Sequence, residues 1–353
     1  MPATIERIPW SAMNPHHDRW QHLRIQAGLL HPFFSPSWFN AVHDIYQNVE
    51  VLAFQSPEGC DGFLPFQRQG WKTAVPAGGH FVDYQGVIGT PLPCLPPTDI
   101  LTAAGLEALD IDHGVPSAAA WDITTWRRTS SPVIRLNPGY SNLIRFWRQR
   151  GSAWDTLARK ERKLLREKGP WRFISHQPRS ELLDLLMTWK RSQYRTTGVR
   201  DVLAQPTDRQ LLHHLLRQNR EFPAWGVRLS VLECQNTPIA LHLGLHENGI
   251  WHYWFPAYHP TWAAYSPGLI LLREMIREAC DLNIEIFDFG KGAARYKSEW
   301  ANDSIPLVEG SLLKPGWVAA RRILAQKFRH LARKAGASRL KSGWNHLRSN
   351  LRR

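Results

Sequence analysis

Between Val227 and Gly290 the chain runs three apolar strands, a helix and a further strand in succession, an order that leaves few folds open. VRLSVLE and PIALHLGLHE are followed by GIWHYWFPAY, the last two joined at Glu247-Asn248-Gly249. Asn-Gly supplies the two left-handed residues of a type I′ turn, so this junction is a tight hairpin. The third strand is aromatic on both faces and is expected to be central. Strict alternation puts His252, Trp254 and Pro256 on one face, opposite Trp251, Tyr253 and Phe255. After a polar loop, Ser266-Pro267-Gly268 opens the helix PGLILLREMIREACD. Proline suits a first turn, and glycine allows close backbone approach. The strand IEIFDFG leads into the loop KGAARYKSEW, and a last strand is expected near Pro306 to Leu313.

Two places in this run can carry chemistry. At the helix start several N–H groups are unpaired and the helix dipole adds about half a positive charge, which suits a pyrophosphate. The second is Asp288-Phe289-Gly290-Lys291-Gly292-Ala293-Ala294-Arg295-Tyr296-Lys297, at a strand end where open sheets commonly carry ligand groups. Its glycines permit a turn that brings an acid, two lysines, an arginine and a tyrosine together. Lys297 suits neutralising a phosphate or a developing oxyanion, and Tyr296 suits protonating a leaving thiolate. The structural alternative is an ion pair of Asp288 with Lys297 or Arg295 that only holds the loop. The central strand offers no acid, so His252, and His242 on its neighbour, are the candidate bases. With 16 histidines in the chain, each also suits a plain structural role.

The remaining sequence supplies a second α/β half. Ser35-Pro36 precedes a helical pattern through Trp38, Val42 and Tyr46, and VEVLAF and FLPFQR read as a hairpin. In GGHFVDYQG, Gly78 and Gly79 allow close approach, and Asp83, Tyr84 and Gln85 could bond sugar hydroxyls; the alternative is a turn-rich sheet edge. The expected division is residues 1–140, a basic helical connector over 141–170 broken at Gly151-Ser152, a second domain over 171–313, and a basic helical tail over 314–353. That tail holds 12 of the Lys and Arg residues and no Asp or Glu; without it the net charge falls from +14 to +2. The positive charge is therefore local, which argues against a DNA-binding domain. In the tail, Val318, Ile323, Leu324, Phe328 and Leu331 form an apolar stripe among basic residues, suited to packing on the body or to docking on an anionic membrane surface or a synthase complex. Cys60, Cys94, Cys234 and Cys280 show no CxxC spacing, so neither a metal site nor a disulfide framework is expected. The first 20 residues hold no apolar segment behind a basic start, and no run of about 18 apolar residues occurs. The expected location is the cytoplasm, including the inner membrane face.

Taken together, YSPG with its helix and IFDFGKGAARYKSEW resemble the CelD-like acyltransferases of the GNAT superfamily, associated with cellulose and exopolysaccharide biosynthesis. KRSQYRTTGVRDVLAQP, LARKERKLLREKG, SPSWFNAVHDIY, FLPFQR and GGHFVDYQGVI follow in family order, so the resemblance spans about residues 20 to 313. It implies an α/β (α+β) fold of tandem GNAT-like domains with mixed sheets, related to the Fem-type aminoacyl transferases, with the basic helical tail appended. It implies acyl-CoA, in particular acetyl-CoA, as co-substrate, no metal, and an amine or hydroxyl of a polysaccharide precursor as acceptor. Tyr265, Ser266, Pro267 and Gly268 would sit at the donor pyrophosphate, and the backbone of Trp254, Phe255 and Pro256 would hold the pantetheine. Asp288, Tyr296, Lys297 and His252 would lie at the reaction centre. The alternatives are an aminoacyl-tRNA donor, or a non-catalytic accessory subunit of a polysaccharide synthase.

Overall fold

The computed structural model describes residues 4–55, 61–89, 96–115, 123–151, 153–218, 224–292 and 294–328; Cys60, Cys94, Leu331 and the tail beyond 328 lie outside them. The first half contains β1 (Thr4–Pro9), α1 (His17–Gln26), α2 (Pro36–Tyr46), β2 (Val49–Gln55), β3 (Asp61–Arg68), β4 (Thr73–Val75), β5 (Ile88–Gly89), α3 (Pro97–Ala104), β6 (Ala108–Gly114) and β7 (Thr124–Arg135). Two helices follow, α4 (Tyr140–Arg150) and α5 (Ala153–Lys168), broken at Gly151, whose φ is 143°. The second half contains β8 (Trp171–Ile174), α6 (Ser180–Thr197), α7 (Pro206–Arg217), β9 (Gly226–Cys234), β10 (Thr237–Glu247) and β11 (Ile250–Tyr258). It continues through α8 (Pro267–Asp281), β12 (Ile286–Asp288), α9 (Arg295–Trp300) and β13 (Asp303–Leu313). A terminal helix occupies 317–328.

Both halves follow one plan. β1 to β4 form an antiparallel run, α3 crosses over, and β6 lies parallel to β4. Likewise β8 to β11 are antiparallel, α8 crosses over, and β12 lies parallel to β11. The last strand of each half is exchanged: β7 pairs with β12, and β13 pairs with β6. β7 and β13 also pair with each other, so the halves join in one 13-stranded sheet.

The hairpin at Asn248-Gly249 forms as its dipeptide requires, with φ of 47° and 76°. One face of the sheet carries a core common to both halves, in which Trp20, Phe33 and Trp38 meet Leu183, Leu211, Leu215 and Leu243. On the other face α4, α5 and α8 cover the second half, with Ile270, Leu272, Met275 and Ile276 directed onto Trp251 and Phe287. No helix among the described residues is long and apolar enough to cross a membrane. The terminal helix buries Ala319 and pairs Arg322 with Asp110, and it leaves Trp317, Leu324 and Phe328 exposed.

Two local expectations change. The stretch containing Tyr296 and Lys297 is helical rather than a loop, so both stand on the first turn of α9. The alternation of β11 is broken by a bulge opposite Gly244: Leu243 faces Phe255, yet Leu245 faces His252. The extra residue turns Phe255 to the opposite face from Tyr253, into the core shared by the two halves.

Candidate active site

β11 and β12 stay paired only as far as His252 and Asp288. Beyond that point β12 ends, Gly290 turns with φ of 67°, and β11 runs on to Tyr258 without this neighbour. The gap is a cavity of about 670 Å³. Trp254 and Pro256 of β11, Ser266 and Gly268 at the start of α8, and Tyr296 and Lys297 of α9 all line it. Six of the sequence-predicted residues are thus brought to one cleft. A second cavity of about 810 Å³ adjoins it through Ser266, Leu269 and Tyr296 and is rimmed by Arg150, Trp154, Lys160, Arg295 and Trp300.

The α8 start opens onto this cleft. Ser266 holds the left-handed region at φ of 54°, a strained setting for a residue with a side chain. Pro267 has no N–H, and the Gly268 N–H is among the donors a helix start leaves unpaired. A Cβ on Gly268 would come only within 3.5 Å of Tyr258, so its missing side chain leaves the cleft open. Lys160 of α5 donates to Ser266 Oγ at 2.7 Å and brings a positive charge to the same point. Tyr265 does not face this cleft; its hydroxyl donates to Glu167 at 3.0 Å. Pro267 is buried at the first position of α8, and Phe255 is buried on the far face of the bulge.

Asp288 and His252 are fully buried and line neither cavity. Asp288 Oδ1 accepts from Ser131 Oγ and from the Gly290 N–H, each at 2.7 Å, so β7 and the turn are both fastened to it. His31 Nε2 lies 3.5 Å from Asp288 Oδ2. His252 stands between two carboxylates, with Asp83 Oδ2 3.2 Å from Nε2 and Asp288 Oδ1 3.8 Å from Nδ1. Burial disfavours its charge, but hydrogen bonds to Asp288 and Asp83 outweigh that and raise its pKa. Burial also works against both carboxylates; Lys291 and His252 hold Asp83 low, and His252 and His31 hold Asp288 low. His252 is thus flanked by two carboxylates that favour its protonated form. His242 is equally committed, since its Nε2 accepts the Trp254 N–H at the bulge at 3.1 Å.

The ion-pair alternative for the loop takes another form. Asp288 pairs with histidines, and exposed Arg295 pairs with Glu299 at 2.7 Å. Lys297 donates to the carbonyls of Lys291 at 2.6 Å and Gly290 at 3.3 Å. Gly290 itself is required, because a Cβ there would overlap Asp83 Oδ2 and lie 2.7 Å from His252 Cε1. The polar groups of the first half, weighed as a sugar pocket or a turn-rich sheet edge, are turned inward. Asp83 accepts the Lys291 N–H at 3.2 Å, Tyr84 stacks on His31, and Gln85 accepts the Asp112 N–H.

Sequence reasoning missed Lys190, Gln193 and Tyr194 of α6, which form the wall opposite α9. Lys190 donates to the Pro256 carbonyl at 3.0 Å, and burial, then the nearby Lys297, brings its pKa down to about 8. It also missed His31 of the first half, and it named Asp83 for a sugar pocket rather than for this cluster.

Residues 152–298 match the family model described as Acetyltransferase (GNAT) domain. No curated protein matches the chain. Three of the solved structures that share the fold illustrate it. One is the C-terminal domain (DUF2156) of a chain described as a putative lysylphosphatidylglycerol synthetase, from Agrobacterium fabrum, at TM-score 0.52 and 12% identity, covering 89% of this chain and 95% of that one. Another is a conserved protein of unknown function from Bacteroides thetaiotaomicron, at TM-score 0.52 and 11% identity, covering 78% and 89%. The third is a tandem GNAT protein from the clavulanic acid biosynthesis pathway, at TM-score 0.50 and 9% identity, covering 90% and 100%. The chain carries a GNAT-type acyltransferase domain within a two-half fold like that of tandem GNAT proteins.

Proposed function

We propose that this acyltransferase moves an acyl group, in the first instance acetyl, from acyl-CoA to an amine or hydroxyl of a cell-envelope polysaccharide precursor. The observation that carries the donor is the splay of β11 from β12 with the α8 start at its mouth. In this reading the pyrophosphate rests on the Gly268 N–H with Lys160 beside it, and the pantetheine follows β11 past Pro256. The acceptor lone pair attacks the thioester carbonyl, and the acceptor's N–H or O–H proton passes to solvent water. The C–S bond breaks, and the thiolate leaves towards α9, where it takes up a proton. Burial pushes Tyr296 up to about 12, so it stays protonated and donates a hydrogen bond to the sulfur. Lys297, lowered chiefly by burial, is the readier proton source. Asp288 and His252 act as positioning residues that hold the Gly290 turn under both groups. The polysaccharide acceptor rests on the resemblance to CelD-like enzymes.

Calorimetric titration with acetyl-CoA tests the donor. Wild type should bind it saturably, and Gly268→Asp, which fills the helix start with a carboxylate, should weaken binding by about a hundredfold. Equal binding by both proteins would remove the α8 start from the donor site. An aminoacyl-tRNA donor is the second reading, favoured by the Arg150, Lys160 and Arg295 rim. It would show as no acetyl-CoA binding and a steeply salt-dependent affinity for tRNA.

A further inference from the structure

Three lysines, Lys190, Lys291 and Lys297, line the cleft, and among the described residues no aspartate or glutamate does. Lys291 is neutralised from behind, 3.5 Å from Asp83 and 3.3 Å from Asp112. Lys190 and Lys297 differ: the hydrogen bonds of both ammonium groups go to backbone carbonyls. Two ammonium groups therefore stand near each other in a largely buried cleft, hydrogen-bonded only to carbonyls. Asp83 and Asp288 act on Lys297 from a distance but are already engaged by Lys291, His252 and His31, and Lys190 has only the face of Tyr194 besides. Burying a charge in this way is costly unless an opposite charge arrives. Their place along the cleft says which molecule would bring it. The α8 start and Lys160 mark the phosphate end, whereas Lys297 sits on the carbonyls of the Gly290 turn, at the apex where the strands part. No phosphate of the donor reaches that apex if its pyrophosphate lies at Gly268. An anion bound at that apex would then belong to the acceptor.

We propose that Lys190 and Lys297 form an anion-recognition site at the acyl end of the cleft, so that the acceptor carries a carboxylate or a phosphate close to its nucleophile. This rests on the acyl-donor reading of the same cleft. One anionic oxygen group bridging the two ammonium ions would orient the acceptor and remove their mutual repulsion. The depressed pKa of Lys190, to which Lys297 contributes, fits a pair without its anion.

The test uses the full chain saturated with acetyl-CoA, titrated calorimetrically with malonate, glycerol 3-phosphate and glycerol. Binding of malonate, of glycerol 3-phosphate or of both, with none of glycerol, is expected, and the stronger of the two anions identifies the group. Lys190→Met and Lys297→Met should each lower that affinity by about tenfold or more, and Lys190→Arg should restore part of it. Lys190→Met should also melt no lower than wild type, because it removes an uncompensated buried charge; a lysine serving only to brace Pro256 would melt lower. Indifference to all three compounds, binding unchanged in both methionine variants, or anion binding abolished by acetyl-CoA would each overturn the proposal. The last result would assign the lysines to the donor. Failure of acetyl-CoA itself to bind is scored beforehand and counts against the donor reading, after which the anions are titrated into the free protein under the same criteria.

Discussion

Arg24→Met is expected to destabilise the chain by about 3–5 kcal/mol, the usual cost of stripping one partner from a buried ion pair. Arg24 is 1% exposed, and its guanidinium pairs with both oxygens of Glu247, 223 residues away on β10. It also donates to the carbonyls of Leu29 at 2.8 Å and Leu30 at 3.0 Å, and Ser35 donates to Glu247 at 3.0 Å. Methionine keeps the length of the side chain and removes every donor. A buried carboxylate and two carbonyls then lose their partners, and these cannot be replaced by water without opening the core between α1 and the β10–β11 hairpin. The double variant Arg24→Met/Glu247→Leu should recover a good part of the loss, because the orphaned charge goes with it. Equilibrium urea unfolding measures both; a loss below about 1 kcal/mol for the single variant would mean that the pair is effectively solvated.

Acidification from pH 6.5 to 4 should cost several kcal/mol of stability, much of it above about pH 4.5, before most carboxylates titrate. Burial keeps His31 neutral down to about 4, and burial with the neighbouring Arg228 keeps His246 neutral down to about 3. His242 is held well below its ordinary value by burial and by His252. The unfolded chain takes up protons on these imidazoles below about 6.5 while the folded chain does not, so falling pH favours unfolding. Each pH unit between the unfolded and folded pKa of a group is worth about 1.4 kcal/mol, so His31 alone accounts for about 3 kcal/mol by pH 4. His252 has the opposite sign: its raised pKa contributes fully below the unfolded value and is lost only as pH rises through the folded one. The lowered Asp83 and Asp288 contribute above the ordinary carboxylate range and fail only in stronger acid. Urea midpoints at pH 6.5, 5.5 and 4.5 should fall steadily for wild type and less steeply for His246→Gln. A flat wild-type profile would contradict the neutral, buried state of these histidines.

The second half was legible because its signals are local. Asn248-Gly249, the apolar runs on either side and Ser266-Pro267-Gly268 each determine a turn or a helix start without help from distant residues. The exchange of β7 and β13 was not legible, since pairing such as Val133 with Asp303 depends on which edge is free once both halves have formed. The bulge at Tyr253–Trp254 defeated simple alternation, and with it the placement of Phe255, because it depends on His242 capturing a backbone N–H across the hairpin. Lys190 sits in an amphipathic helix where a lysine reads as solvated; only the approach of Pro256 reveals that it is enclosed. Asp83 lies in a stretch that reads as a sugar pocket or a turn-rich sheet edge, His31 in one without a local signal, and their partners lie more than 150 residues away.

The position of the acyl donor decides the rest of the chemistry, and a crystal structure of the chain with coenzyme A tests it directly. The predicted result is pantetheine between β11 and α9, its thiol towards Tyr296 and Lys297, with the pyrophosphate within hydrogen-bond distance of the Gly268 N–H and Lys160 Nζ. Coenzyme A ordered anywhere else, or a cleft left vacant at saturating ligand, would contradict it.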